Sequence, residues 1–343
     1  MSRFHVQPGH FPGHYFDTTV DYIRSVQQPS GAIPWFEGGH TDPWNHIEAA
    51  MGLSIGGRRS EAELAYQWLA NEQLDSGAWW ARYENGQPHE DPHMETNYVA
   101  YIATGVWHHY QIYQDPAFLR DFWPVVVKAM DFIARMQAPT GEIYWAMNMV
   151  KGLGDDALVT GSSSIYKSLE CAIHIAEALN EPADQWRTMR ARLGEAIRTR
   201  PERFDRSWES KARFSMDWFY PVMTGVLKPS EARMRLHQRW DEFVEPGLGC
   251  RCVSDRPWVT VAESCELTMA LLAAGRHRQA VELFNWLHRM RNEDGSWWTG
   301  YVFDNPEIWP LERTTWTAGA TLLAADAIAQ HTAGHRLFLC HRR

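Results

Sequence analysis

YQWLANEQLDSGAWW, residues 66–80, carries the pattern that decides the fold. An amphipathic run reaches Gln73, a short turn with Gly77 follows, and Trp79 and Trp80 come next. Glycine adopts the left-handed backbone that follows a helix at no steric cost, so Gly77 is predicted to end its helix. YIRSVQQPSGAIPW (22–35), FIARMQAPTGEIYW (132–145) and FNWLHRMRNEDGSWW (284–298) repeat the arrangement, with Gln or Arg before Gly31, Gly141 and Gly295. Repetition on this scale marks an array of similar two-helix units.

After each turn comes a polar loop and then a helix that is apolar over more of its circumference. These second helices are predicted to begin near Pro43, Pro92, Ser163, Met216, Val259 and Glu312, a spacing of about 54 residues that suits two helices and two loops. SEAELAYQWLANEQ (60–73) and EARMRLHQRWDEF (231–243) carry a charged face and read as outer helices. NYVAYIATGVW (97–107) and CELTMALLAAG (265–275) carry little charge and read as inner ones. Alternating the two types six times gives an all-α fold, an (α/α)6 toroid of six helical hairpins. The fourth and fifth hairpins have the weaker signals. The chain is predicted to be one domain over 1–343, with 1–15 and 331–343 as terminal extensions, the latter fraying or packing loosely. WFYPVMTGV (218–226) is rich in strand formers but too isolated to build a sheet.

With 45% hydrophobic and 22% charged residues, the composition is that of a globular protein. A formal charge of -9 argues against nucleic acid or an anionic membrane as partner. The start has neither a basic nor an apolar leader region, and no run is long enough to insert in a membrane, so the expected location is the cytoplasm. The five cysteines, Cys171, Cys250, Cys252, Cys265 and Cys340, lack zinc-finger or redox spacing and read as free thiols. Neither metal nor other cofactor is expected, and the oligomeric state is left open.

Eighteen tryptophans exceed what packing needs and suggest a ligand surface. In a toroid the loops before the inner helices converge on one mouth. They read HTDPWNHIE (40–48), HEDPHMETNY (89–98), VTGSSSIY (159–166), SMDWFY (215–220), RPWVTVAESCE (256–266) and PLERTTW (310–316). Aromatic rings there can stack on a sugar or an isoprenoid, and carboxylates can act as acid and base. Asp42 and Asp91, each before a proline, read as helix N-caps, and Ser162, Ser163 and Ser164 as a third cap. Glu48, Glu95 and Glu263 fall inside apolar helices, where an acid must be paired, desolvated or facing a cavity. With Asp217 and Glu312 they are the candidate catalytic groups. Trp44, His46, His93, Asn97, Tyr98, Trp218, Tyr220, Trp258 and Trp316 are the candidate substrate-binding residues. Ring geometry sets Asp217 opposite Glu48, Glu95 opposite Glu263, and Glu312 opposite the loop holding Asp155 and Asp156. Paired carboxylates astride a cavity are what glycoside hydrolysis requires.

Residues 95–145, with Asp115, Phe118, Leu119 and Trp123 in a D-x-x-FL-x-x-x-W arrangement, resemble the matching hairpin of glucoamylase-like (α/α)6 glycosidases. LERTTWTAGATLLAADAI (311–328) is similar to their last inner helix, which would give Glu312 the general-base role. Their general-acid motif has no counterpart in the third loop, where Glu142, Asp155 and Asp156 are the acidic residues present. The Gln-x-x-x-Gly-x-Trp of 73–79 is similar to the QW motif of squalene cyclases, and the whole chain resembles actinobacterial proteins loosely labelled prenyltransferase. It departs from terpene cyclases in lacking Asp-x-Asp-Asp, of which GDDAL (154–158) is a partial echo. ESC (263–265) echoes part of a prenyltransferase zinc site without its histidine. The expectation is a glycosidase acting on a small-molecule or oligosaccharide substrate. The alternatives are a terpene cyclase or prenyltransferase-like enzyme, a sugar epimerase using His46 and His93, a lyase, and a non-catalytic binding toroid.

Overall fold

The computed structural model describes residues 6–339; Cys340 and the last residues of the expected tail lie outside them. Thirteen α-helices are present among the described residues. They are α1 Gly13–Val26, α2 Pro43–Ile55, α3 Arg59–Glu72, α4 Thr96–Tyr113, α5 Pro116–Arg135, α6 Val159–Leu179 and α7 Asp184–Thr199. There follow α8 Ser215–Met223, α9 Pro229–Gln238, α10 Trp240–Phe243, α11 Val261–Ala273, α12 His277–Trp286 and α13 Thr315–Ala329. Helices α2, α4, α6, α8, α11 and α13 each pack on the next, and α13 packs back on α2, so they close a ring. Around it α3 packs on α2, α5 on α4 and α6, α7 on α6, α9 on α8, and α12 on α11 and α13. The division follows from side chains: every residue of α2 is buried, whereas α7 buries only Trp186, Met189, Leu193, Gly194 and Ala196.

One polar contact recurs at the ends of the outer helices. The Gln27 side-chain amide donates to the carbonyls of Gly31 (3.1 Å) and Glu61 (2.9 Å), tying the turn after α1 to α3. Gln73 donates likewise to Gly77 (3.0 Å) and to Val125 of α5 (2.9 Å), and Gln137 to Gly141 (2.9 Å) and to Met189 of α7 (3.0 Å). At the fourth copy Arg291 replaces glutamine and donates to the Tyr15 carbonyl (2.9 Å) and the Thr18 hydroxyl (2.6 Å), joining the end of the chain's last outer helix to α1. Each partnering glycine has a positive φ and lies flat against the neighbouring helix. A Cβ on Gly77 would stand 2.1 Å from the Lys128 carbonyl oxygen, and one on Gly31 2.3 Å from that of Leu64.

Several boundaries differ from those expected. The second inner helix begins at Thr96 rather than Pro92, because residues 93–95 pair as a strand; Asp91 therefore caps no helix, and Glu95 stands at the N-cap. The third begins at Val159, which puts Ser162, Ser163 and Ser164 inside the helix rather than at its cap. The sixth begins at Thr315 with Thr314 as cap, so Glu312 lies in the preceding loop. The outer run 231–243 is broken at Arg239 into α9 and α10. Residues 218–226 build no sheet, and α8 covers most of them. The tail is packed rather than frayed up to Leu339: Leu337 and Phe338 are buried, and residues 333–336 lie against α13 and α4. Phe11 stacks on His331 with centroids 4.2 Å apart.

The mouth loops also form ten short strands, none longer than three residues. Strands β1 (Tyr83–Glu84) and β2 (Gln87–Pro88) pair as a hairpin. Strands β3 (His93–Glu95), β4 (Ala146–Asn148) and β5 (Gly152–Gly154) form an antiparallel sheet in that order. A five-stranded sheet runs β10 (Glu307–Ile308), β9 (Gly300–Val302), β8 (Trp258–Thr260), β7 (Gly249–Arg251) and β6 (Val244–Glu245). These sheets fix the loops that carry the site.

Replacing Gly77 with alanine forces a backbone collision at a left-handed position. Gly77→Ala is expected to lower the unfolding free energy by roughly 2 kcal/mol or more in urea denaturation. A change below about 0.5 kcal/mol would show that the turn does not clamp α5.

Candidate active site

The floor of the mouth is a layer of side chains from four ring helices. The Tyr101 hydroxyl (α4) donates to Glu48 of α2 at 2.8 Å, and the Tyr220 hydroxyl (α8) donates through a short hydrogen bond to Glu266 of α11. Trp44 lies face to face on Tyr101, with centroids 4.1 Å apart and planes 7° from parallel. All five residues are buried. Burial pushes Glu48 up to about 7 despite its Tyr101 hydrogen bond. Glu266 is raised well above the carboxylate range by burial and then by the Glu48 charge. Two desolvated carboxylates that repel each other retain a proton near neutrality.

Nearer the opening stand the acids at the helix starts. Asp42 caps α2 by accepting from the Asn45 amide (2.9 Å), and it also accepts from the Asn45 side chain (2.6 Å) and the Trp35 indole (2.5 Å). Burial outweighs these bonds, and with the Glu95 charge it raises Asp42 to about 6. Glu95 receives a hydrogen bond from His93 (3.3 Å), which raises that histidine. Glu263 is the third residue of α11, buried and beside the Cys252 thiol, which burial and then the Glu263 charge push up. The acids are electrostatically connected: the Glu95 charge raises Asp42, that of Asp42 raises Glu48, and those of Glu48 and Glu263 raise Glu266. Helices α4 and α11 stand three places apart in the ring, so Glu95 and Glu263 begin on opposite sides of it.

The other expected acids are placed differently. Asp217, third in α8, is raised to about 6 by burial, opposed by Arg235 and Arg239 and reinforced by Asp205. Pro221 has no N–H for the Asp217 carbonyl four residues back, and that oxygen accepts from Arg235 (2.9 Å). Glu312 lines a surface cavity of about 360 Å³ with Tyr22, Ser25 and Val26 of α1. In the third loop, burial raises Glu142 and Asp156 but their partners outweigh it. Arg203 pairs with Glu142, and the Ser207 amide (2.6 Å) and hydroxyl (2.7 Å) hold Asp156; both carboxylates brace the 200–207 segment.

Of the expected binding residues, Tyr98 and Tyr220 group with Tyr101 around Trp44, and Trp316 of α13 stabilises the charged form of Glu48. Asn97 is in the first turn of α4, half-buried. Trp258 is at the rim, its indole donating to the Trp309 carbonyl at 2.7 Å. Two expectations are corrected. Trp218 turns outward, stacked on Phe243 at 5.1 Å and bonded to the Arg235 carbonyl, so it is core rather than a sugar platform. His46 accepts from the Ile33 amide (3.0 Å) and donates to the Ala65 carbonyl (2.9 Å); burial lowers it to about 4, and neither nitrogen is left for a substrate.

Sequence reasoning missed Glu266 and Tyr101 and saw only the cap in Asp42. Glu266 had the signal that singled out Glu48, an acid on an otherwise apolar inner helix. Among the described residues no cluster of His, Cys, Asp and Glu is arranged to hold a metal.

No family model matches the chain. The chain is 49% identical over 320 residues to the MMP endo-(1,4)-3-O-methyl-alpha-D-mannosidase of Mycolicibacterium hassiacum, covering 93% of this chain and 88% of that protein. It belongs to that mannosidase family. It is therefore a glycoside hydrolase. The fold of this glycosidase agrees: a glycosidase solved in complex with glucose superposes with a TM-score of 0.72 at 16% identity, over 92% of this chain and 96% of the other. A sugar epimerase from a ruminal bacterium superposes at 0.65 and 11% identity, over 89% and 95%. No helix among the glycosidase's described residues is long and apolar enough to cross a membrane.

Because Glu266 is raised in the fold, its contribution to stability is full below its ordinary value of 4.5 and is lost as pH rises toward the folded value. Glu266→Gln is expected to show a smaller fall in Tm between about pH 5 and pH 8 than the wild type. Equal falls would show that Glu266 carries no retained proton.

Proposed function

We propose that the enzyme is an endo-acting mannosidase that cleaves (1,4) bonds between 3-O-methylated α-mannose units, as the name of its relative describes. The 49% identity over nearly the whole chain supports this substrate class. The scaffold we assign is a single-domain (α/α)6 toroid of six hairpins over 1–343, with 1–15 and 331–343 as terminal extensions; the closed order of ring helices supports it. Its free thiols at Cys171, Cys250, Cys252 and Cys265 suit a reducing compartment such as the cytoplasm.

Of the mouth acids we assign the general-acid role to Asp42 and the general-base role to Glu263. Asp42 protonates the departing glycosidic oxygen while Glu263 takes a proton from the attacking water, so the C–O bond breaks as the new one forms. The observation that carries the choice is the desolvation of Asp42, which holds it near 6 at the start of α2, with Glu95 as the neighbour that keeps it there. Trp44, Tyr98 and Trp316 supply the sugar-facing aromatic surface. The isoprenoid alternative is disfavoured by the same acids, since carboxylates around the mouth quench a carbocation. The epimerase alternative loses His46 to its two backbone partners.

Asn keeps the capping oxygen but turns its NH2 toward the Trp35 and Asn45 donors, so Asp42→Asn is expected to lower Tm somewhat and, with the fold retained, to lose about 1000-fold or more in kcat, whereas Glu263→Gln is expected to lose as much in kcat with little change in Tm. Full turnover by either variant on a 3-O-methylated (1,4)-mannose oligosaccharide would remove that residue from the mechanism.

Asp42 must be protonated to act, so kcat/KM is expected to fall as pH rises through about 6. Removing the negative charge of Glu95 lowers the Asp42 pKa, and in Glu95→Gln the alkaline limb of the profile moves to lower pH. An unmoved limb would separate Glu95 from the acid.

A further inference from the structure

Beside the mouth, the hairpin of β4 and β5 exposes Met149 (65%), Val150 (85%) and Leu153 (43%), three of the most exposed large apolar side chains described. Their display is held in place. Asn148 Oδ1 accepts from the amides of Val150 and Lys151, both at 2.8 Å, and Asn148 Nδ2 donates to Asp91 (2.9 Å), which also pairs with Lys151 (3.1 Å). Beneath the hairpin is a groove of about 190 Å³, lined by the Trp145 indole, His93, Asp91, Asn148, Lys151 and the β5 backbone. Trp145 reaches into it because Gly154 has no side chain: a Cβ there would stand 2.5 Å from Nε1. The groove borders the proposed catalytic mouth: His93 lines it and donates to Glu95, and β3, which ends at Glu95, is hydrogen-bonded to β4.

We propose that this groove is a distal subsite holding an O-methylated sugar unit of the same chain whose bond is cleaved in the mouth; the proposal rests on the mannosidase reading above. An aromatic face beside a few fixed polar groups is the composition of a sugar site. A methyl ether replaces a hydroxyl donor with an apolar group, which Leu153 in the groove, with Met149 and Val150 on the adjoining turn, meets better than water does. Asp91, Asn148 and Lys151 remain for the unmethylated hydroxyls. An enzyme that cuts inside a chain needs such contacts away from the broken bond.

The test compares wild type with the Met149→Ser, Val150→Ser, Leu153→Ser triple variant, whose substitutions lie at exposed positions and whose Tm checks the fold. Both are assayed on short and long (1,4)-linked α-mannose oligosaccharides, each with and without 3-O-methyl groups. The expected result is that the long-over-short advantage in kcat/KM on methylated chains falls at least about fivefold in the variant, through KM, with a smaller fall on unmethylated chains. An unchanged advantage, an equal fall on both kinds of chain, or a change of oligomeric state in light scattering as the variant's only change would overturn the subsite. If wild type cleaves methylated chains and the variant keeps its advantage, the subsite falls and the mannosidase reading stands; a wild type inactive on every methylated chain overturns both.

Discussion

The amide of a glutamine at the end of an outer helix, bonded at once to its own turn glycine and to the next outer helix, is the contact on which the toroid depends. Buried helix ends leave carbonyls without partners, and each unpaired carbonyl costs free energy. Gln27, Gln73 and Gln137 bond two carbonyls apiece, one of the turn glycine and one of the next outer helix. The glycines make this possible by permitting the left-handed turn and an approach that no side chain would allow. Arg291 performs the same task between the last outer helix and the first, so a linear array becomes a ring.

A closed ring has one consequence for chemistry. Inner helices buried on all sides must give every polar group they carry a partner, and at the axis tyrosine hydroxyls and neighbouring acids are the partners available. Glu48 with Tyr101 and Glu266 with Tyr220 fill that position, and desolvation leaves the pair short of full ionisation. The same desolvation acts on Asp42, which also feels the Glu95 charge. One physical cause, exclusion of water by an aromatic wall, therefore supplies a proton-holding floor and, in the mechanism we propose, the protonated acid.

The ring was legible because its determinants are local and repeated. Gly31, Gly77, Gly141 and Gly295 are required by backbone geometry, and the contrast between bare and charged helix faces shows in composition. The strands were not legible, since two or three residues have no period to detect. Glu95 was read as a helix-interior acid for that reason: β3 delays α4 past it. Asp42 showed its capping role, which is a matter of sequence neighbours, and hid its desolvation, which is a matter of Trp35 and the ring. Direction decided the aromatics: Trp218 and Tyr220 lie about 200° apart on a helix, so when Tyr220 faces the floor Trp218 must face out. Nothing in the residue types says which of the two turns inward.

The central claim is that the ring desolvates the mouth acids enough to keep one protonated near neutrality. Carbon-13 NMR titration of side-chain carboxyls in the wild type and in Asp42→Asn tests it directly. The account predicts a carboxyl resonance that titrates near 6 in the wild type and is absent from the variant. A wild-type spectrum in which every resonance lost in Asp42→Asn titrates in the ordinary range, at about 4, would contradict it.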